Sequence, residues 1–193
     1  MNPPTPKTPD GGIGATSALV LLWSGSELYE SPETHQYWDK LDLSEGKEIY
    51  NRCHVVWENY GEVIKNRKWK ILQTSKRLLA GEHISQVIIV AAGFSPIGIE
   101  IASLFPQSRV FELDKFNMQK KSALCASVRN LFCIAADITE RKQCRNKLIA
   151  LGWNPSQPTL LIFEGISYYI TDAQTLDIWD LISRSGSFCV FEY

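Results

Sequence analysis

The chain reads as an α/β protein: a mostly parallel sheet preceded by a helical cap. Three observations predict this. Residues 13–80 carry only helix-period patterns, whereas after Gly81 short apolar runs alternate with helical segments. Such alternation is the order of parallel strands wound by right-handed crossovers. Val87 to Val90 is continuously apolar and β-branched, as in a strand covered on both faces.

Taken in order, Met1 to Gly12 is rich in Pro and Thr and is expected to be disordered. Ala18 to Trp23 is apolar but short, bounded by Thr16-Ser17 and Ser24-Gly25, so it is expected to be a packed helix and not a membrane span. Asp42 and Glu45 have capping-box spacing, and Tyr50, His54, Trp57, Gly61 and Ile64 trace one helix face from there. A further helix through Trp69, Leu72, Leu78 and Leu79 ends near Gly81. Strands are expected at about 86–91, 108–113, 131–135, 159–164 and 186–192, with helices near 96–104, 115–127, 139–150 and 172–183. Ile97, Ile101 and Leu104 suit packing of the first of these helices on the sheet, and Thr171 with Gln174 caps the last, whose Leu176, Trp179 and Ile182 should face inward. The organisation expected is a disordered segment 1–12, a helical cap 13–80 and a ligand-binding α/β domain 81–193.

Composition bounds the function. A chain of 193 residues with 45% hydrophobic residues and net charge −1 can bury a sizeable core. Near neutrality offers no electrostatic reason to expect nucleic acid, and no segment suggests a membrane. Five cysteines without a CxxC pair suggest neither a disulfide framework nor a zinc cluster, so a reducing cytoplasm is the expected location. His35, His54 and His83 show no metal spacing.

The chemistry concentrates at strand ends. After the first strand, Ala91, Ala92 and Gly93 remove bulk where a ligand must come close. Ser95 and Pro96 suit the N-cap and first position of a helix whose free N–H groups face the ligand. A dinucleotide fingerprint needs G-x-G-x-x-G, but Ala91 stands at the first glycine and the Gly93 to Gly98 spacing is wrong, which disfavours an NAD enzyme. A nucleoside ligand without a pyrophosphate fits better. Asp114, ending the second strand, can accept from both ribose hydroxyls, or serve as a solvated acid or cap, with Glu112 on the same face as a second candidate. Asp137 can accept from the adenine amine beside a backbone N–H, or cap a helix through Asp137-x-x-Glu140.

The ordered set Gln86-Val…Ala-Gly93-Phe, Val110-Phe-Glu-Leu-Asp114 with Lys120 or Lys121 downstream, Asp137-Ile138, and Pro158-Thr-Leu-Leu-Ile-Phe-Glu164-Gly165-Ile-Ser-Tyr-Tyr169 resembles the leucine carboxyl methyltransferase family. Thr16-Ser-Ala-Leu…Glu27 is similar to that family's opening helix. The resemblance implies a Rossmann-like class I methyltransferase three-layer sandwich and S-adenosyl-L-methionine as cofactor. It implies cofactor contacts from Ala91, Gly93, Asp114, Asp137, Ile138 and Glu164, with Glu164 at the amino-acid end. A family arginine that holds the methionine carboxylate matches Arg67 best, with Lys65 and Lys68 as alternatives, and a solvated helix face is the plain reading of that basic stretch. Glu164 could instead be a buried carboxylate paired with a cap-helix base. No catalytic base is identified, although a hydroxyl of Tyr168 or Tyr169 could reach the acceptor.

Two features depart from the family. Ala91-Ala-Gly-Phe-Ser-Pro-Ile97 replaces its usual Gly-Ala-Gly-Leu-Asp-Thr-Arg, and Ser187 to Tyr193 reads as a fifth strand where that fold continues into further strands. The sheet is thus expected to lack the last strands and to leave an edge for another copy or partner. The function expected is methyl transfer to a carboxyl or hydroxyl oxygen of a small-molecule acceptor. The alternative is a non-catalytic interaction module pairing through the terminal edge strand.

Overall fold

The computed structural model describes residues 13–183 and 186–192; the disorder expected for 1–12 lies outside them. Five strands, β1 (Gln86–Val90), β2 (Arg109–Asp114), β3 (Leu131–Ala135), β4 (Thr159–Phe163) and β5 (Phe188–Phe191), form one sheet in the order β3-β2-β1-β4-β5. All four pairings are parallel. The chain leaves β3 at one side and returns to β4 on the other side of β1. That reversal opens a crevice at the C-terminal strand ends, where open α/β sheets take ligands.

Helices α1 (Ala15–Ser24), α2 (Pro32–Trp38), α3 (Ser44–Val56) and α4 (Tyr60–Gly81) precede the sheet; α5 (Ile97–Leu104), α6 (Met118–Leu124), α7 (Arg141–Ala150) and α8 (Asp172–Trp179) connect or follow its strands. Alternate strand residues feed two cores. Val87, Ile89, Val110, Leu160 and Ile162 pack with α1, α4 and α5, while Ile88, Val90, Phe111, Leu113, Leu161 and Phe163 pack with α7 and α8. Each such buried side chain contributes about 1.5–3 kcal/mol. β1 and β4 are buried at every residue, which explains their unbroken apolar runs.

Local chemistry departs from expectation where packing competes. Ser95 does not cap α5: its amide donates to the Ala92 carbonyl at 3.0 Å, so the turn uses it before the helix begins at Ile97. Lying between sheet and cap, α5 buries Ile99 as well as Ile97 and Ile101, leaving Leu104 exposed at its end. Asp42 accepts from the Ser44 amide at 3.0 Å, but α3 starts with no side-chain cap. The single face expected through Ile64 is broken, because α3 stops at Val56 and α4 starts at Tyr60. Thr171 and Gln174 do form a capping box. Beyond it Leu176 and Trp179 are exposed, and Ile178, Leu181 and Ile182 are buried. The chain tightens to a 3₁₀ turn over Asp180–Ile182, and its shorter repeat rotates the last two inward.

A buried carboxylate ties the N-terminal helices to α5. Glu100 on α5 is fully buried and accepts from the Glu30 amide at 2.8 Å, the Ser31 amide at 3.1 Å and the Ser31 hydroxyl at 2.8 Å. Ser31 is also the N-cap of α2, accepting from the Thr34 amide. Nearby, Tyr37 donates to the Phe94 carbonyl at 3.0 Å. Burial by itself would raise the Glu100 pKa, but the bonds from Glu30 and Ser31 outweigh it and hold the carboxyl below its ordinary 4.5. A depressed carboxylate stabilises the fold above the unfolded-state pKa and loses that contribution as pH falls through the folded value. Glu100→Gln is therefore expected to cost about 1.5–3 kcal/mol near neutrality. The deficit should shrink on acidification below about pH 4, which thermal unfolding across pH would record; a pH-independent deficit contradicts the assignment.

Candidate functional site

The crevice is built first by the turn after β1. Ala91 has φ +52° and Gly93 φ +47°, so both stand in the left-handed region. Glycine adopts it freely, while an L-residue incurs about 1–2 kcal/mol. Position 91 thus has glycine geometry with an alanine in place. The Gly93 amide donates to Asp114 Oδ2 at 2.9 Å, and the Phe116 amide to Asp114 Oδ1 at 3.0 Å. Asp114 thereby joins the ends of β1 and β2, with one hydrogen bond to each carboxylate oxygen from the described residues, and a carboxylate accepts about four bonds.

Behind this turn lies a buried ion pair. Lys121 Nζ is 2.8 Å from Glu112 Oε1, 2.7 Å from Oε2 and 2.6 Å from the Ser95 carbonyl, and both side chains are wholly buried. Burial pushes the Glu112 carboxyl above its ordinary range while Lys121 opposes the shift. A Cβ at Gly98 would collide with the Glu112 carboxylate, so glycine there lets α5 cross this pair. Glu112, the second ribose candidate, faces inward to Lys121 and not into the crevice.

Asp137 follows β3. Its Oδ1 accepts from the Thr139 hydroxyl at 2.7 Å and amide at 3.0 Å, and its Oδ2 from Lys115 at 2.9 Å. The Thr139 and Lys115 hydrogen bonds draw its pKa down to about 2. The expected capping box to Glu140 is absent, because α7 begins after Glu140 with no side-chain cap and Asp137 has closed a tight turn on Thr139 instead.

At the other side, Glu164 follows β4. Its Oε1 lies 2.9 Å from Lys68 Nζ and 3.3 Å from Arg67 Nη2, so the pairing with a cap-helix base is observed. Arg67 Nη1 lies 3.1 Å from Glu192 Oε1, and Glu192 Oε2 accepts from the Gly165 amide at 2.7 Å. Lys68 Nζ also donates to the Ser95 hydroxyl at 3.4 Å. Buried Arg67 Nε has no hydrogen-bond partner among the described residues.

These residues line two adjoining hollows. One, about 340 Å³, includes Arg67, Lys68, Gly93, Glu164 and the aromatics Trp23 and Tyr60. The other, about 320 Å³, includes Asp114, Asp137 and Ile138. Ala91 and Tyr169 line both, making them halves of one elongated crevice; Tyr168 lines the first, and both tyrosines are exposed at its lip. A larger hollow, about 490 Å³ around Arg109 and Asn130, opens at the N-terminal strand ends, away from the acids and the turn. Sequence reasoning missed Glu192, which stands next to the last residue with no motif to mark it. It set Lys68 only as an alternative to Arg67, although their adjacency on one helix and the nearby strand-end acid were the available signal.

An open parallel sheet with a glycine-type turn after β1, acids at the C-terminal ends of β2, β3 and β4, and an elongated crevice across the switch point defines an α/β fold of the methyltransferase kind. The sequence matches the leucine carboxyl methyltransferase family over residues 35–183, and the chain belongs to that family. No curated protein matches it in sequence. In structure it is similar to a protein described as a candidate methyltransferase from Thermobifida fusca YX, with TM-score 0.65, 19% identity, 85% of this chain covered and 66% of that one. It is also similar to a DUF574 family protein from Streptomyces avermitilis MA-4680, with TM-score 0.65, 18% identity, 86% of this chain covered and 69% of the other. At these identities the likeness shows the fold, and this chain spans about two thirds of each neighbour's length. No helix among the described residues is long and apolar enough to cross a membrane.

Two stability measurements check this geometry. Lys121→Met strands a buried carboxylate and is expected to cost about 3–5 kcal/mol in denaturant unfolding, with much of the loss recovered by adding Glu112→Met. Ala91→Gly relieves the left-handed alanine and should raise stability by up to about 1 kcal/mol, the reverse of the usual effect of glycine.

Proposed function

We propose that this chain is an S-adenosyl-L-methionine-dependent O-methyltransferase acting on a carboxyl or hydroxyl oxygen of a small molecule. The observation that carries the reading is the single elongated crevice, with a carboxylate-rich half at Asp114 and Asp137 and an ion-pair half at Arg67 and Glu164. Its residues fit an adenosyl amino acid. Gly93 and Ala91 allow close approach, Asp114 suits ribose hydroxyls, and Asp137 with the Ile138 backbone suits adenine. Arg67, whose Nε has no partner among the described residues, suits a carboxylate, and Glu164 suits an ammonium group. In this reading residues 13–80 are a lid over residues 81–193.

The bound group supplies a methyl carried on a sulfonium. An ionised carboxylate acceptor needs no strong base, so the protein's part is orientation and exclusion of water. In this reading Trp23, Tyr60 and Tyr169 wall the acceptor side, and a hydroxyl of the exposed Tyr168 or Tyr169 at the lip is offered to the acceptor. The family membership and the fold of the two neighbours support this reading.

A second reading, an interaction module, rests on β5, which among the described residues pairs only with β4 and so offers an edge to another copy or partner. Calorimetric titration with S-adenosylhomocysteine separates the two. Saturable binding that Asp114→Ala weakens about 10-fold or more supports the methyltransferase. A folded, monodisperse protein that gives no heat, or a stable oligomer without binding, favours the module.

A further inference from the structure

Cys125 and Cys133 place their Sγ atoms 3.9 Å apart. Cys125 is the C-cap of α6. Cys133 stands in the middle of β3, which among the described residues is an edge of the sheet. Cys125 is buried and Cys133 half-buried, so the pair opens to solvent through Cys133. Both thiols also touch the ion pair behind the crevice turn. Cys133 Sγ donates to Glu112 Oε2 at 3.6 Å, and Cys125 Sγ donates to the Lys121 carbonyl at 3.0 Å. Lys121 in turn holds the Ser95 carbonyl. The hydrogen bond between the two sulfurs draws the Cys125 thiol below its ordinary 9.0 and pushes Cys133 up, so the first proton leaves from Cys125.

A closure of about 2 Å brings sulfurs at this separation to bonding distance. We propose that Cys125 and Cys133 are a redox modification site, which a peroxide closes to an intramolecular disulfide, and that closure loosens the turn after β1 through Glu112 and Lys121. The Cys125 thiolate attacks one peroxide oxygen, forming an S–O bond and breaking the O–O bond. The hydroxide released takes up the proton that Cys125 lost and leaves as water. The Cys133 sulfur then attacks the Cys125 sulfur, forming the S–S bond and breaking the S–O bond, and the Cys133 proton departs with the hydroxide as a second water. Two thiols are oxidised and one peroxide is reduced. In the product both S–H donors are gone. Buried Glu112 loses a donor to its charge and the Lys121 carbonyl loses another, so the pair that fixes Ser95 holds it less firmly. The site is independent of which ligand the crevice takes.

Peptide mapping by mass spectrometry after treatment of the whole chain with equimolar hydrogen peroxide tests the chemistry. Trypsin cuts after Arg129, between the two cysteines, so the disulfide joins peptides 122–129 and 130–141 and dithiothreitol separates them again. That joined pair is the expected main product, formed ahead of any oxidation at exposed Cys189. Hydrogen exchange then reads the turn: amides in 91–98 are expected to exchange about 10-fold faster in the oxidised protein, and to return to the starting rate on reduction. Cys133→Ser keeps a donor for Glu112 and should abolish both the joined peptides and the peroxide-dependent change in exchange. Peroxide that yields only disulfides between chains, or sulfinic acid on separate cysteines, overturns the modification site. A disulfide that forms with exchange at 91–98 unchanged, or faster throughout the sheet, overturns its link to the turn. Mapping of the wild type decides the first point alone if Cys133→Ser does not fold.

Discussion

A charge placed under a parallel sheet's ligand end must be neutralised by another layer, and this requirement organises the molecule. Glu112 sits on β2 with no access to water. Lys121 reaches it from α6 and opposes the upward push of burial on its pKa, and Gly98 on α5 leaves room for its carboxylate. The same Lys121 also holds the Ser95 carbonyl, so the pair fixes the turn that shapes the crevice. Strand, two helices and turn are locked by one interaction. Its Coulomb gain is largely offset by desolvation, and its main effect is to specify how the layers meet.

The pattern repeats outward. Glu100 on α5 takes the amides at the start of α2, and Glu164 after β4 takes the bases of α4. Each acid is carried by the sheet domain and each partner by the helices before it. The N-terminal helices are therefore attached by polar contacts as well as by the apolar packing of Leu72 and Ile71. Asp114 and Asp137 differ in kind. They hold donors of their own and of neighbouring turns and remain partly accessible at the crevice.

The turn after β1 shows how a family pattern bends without losing its geometry. Where a glycine would be free of strain, Ala91 keeps the left-handed backbone. The constraint comes from outside the residue: the Ala92 amide donates to the Leu113 carbonyl at 3.1 Å and the Gly93 amide to Asp114. Two bonds to β2 hold the chain in a conformation that alanine by itself avoids.

Much of the fold was legible in the sequence because parallel strands buried on both faces need unbroken apolar runs. All five strands, the connecting helices and the Thr171 box follow from local pattern. So do the strand-end positions of Gly93, Asp114, Asp137 and Glu164, because side chains at those ends share one rim of the sheet. Tertiary structure alone decided the partners. It turned Glu112 inward to Lys121, took Ser95 from the helix cap into the turn, rotated Leu176 and Trp179 outward, and brought Glu192 across 125 residues to Arg67. Periodicity reports which face of an element is apolar. Which charge meets which depends on how layers stack, and no local pattern encodes that.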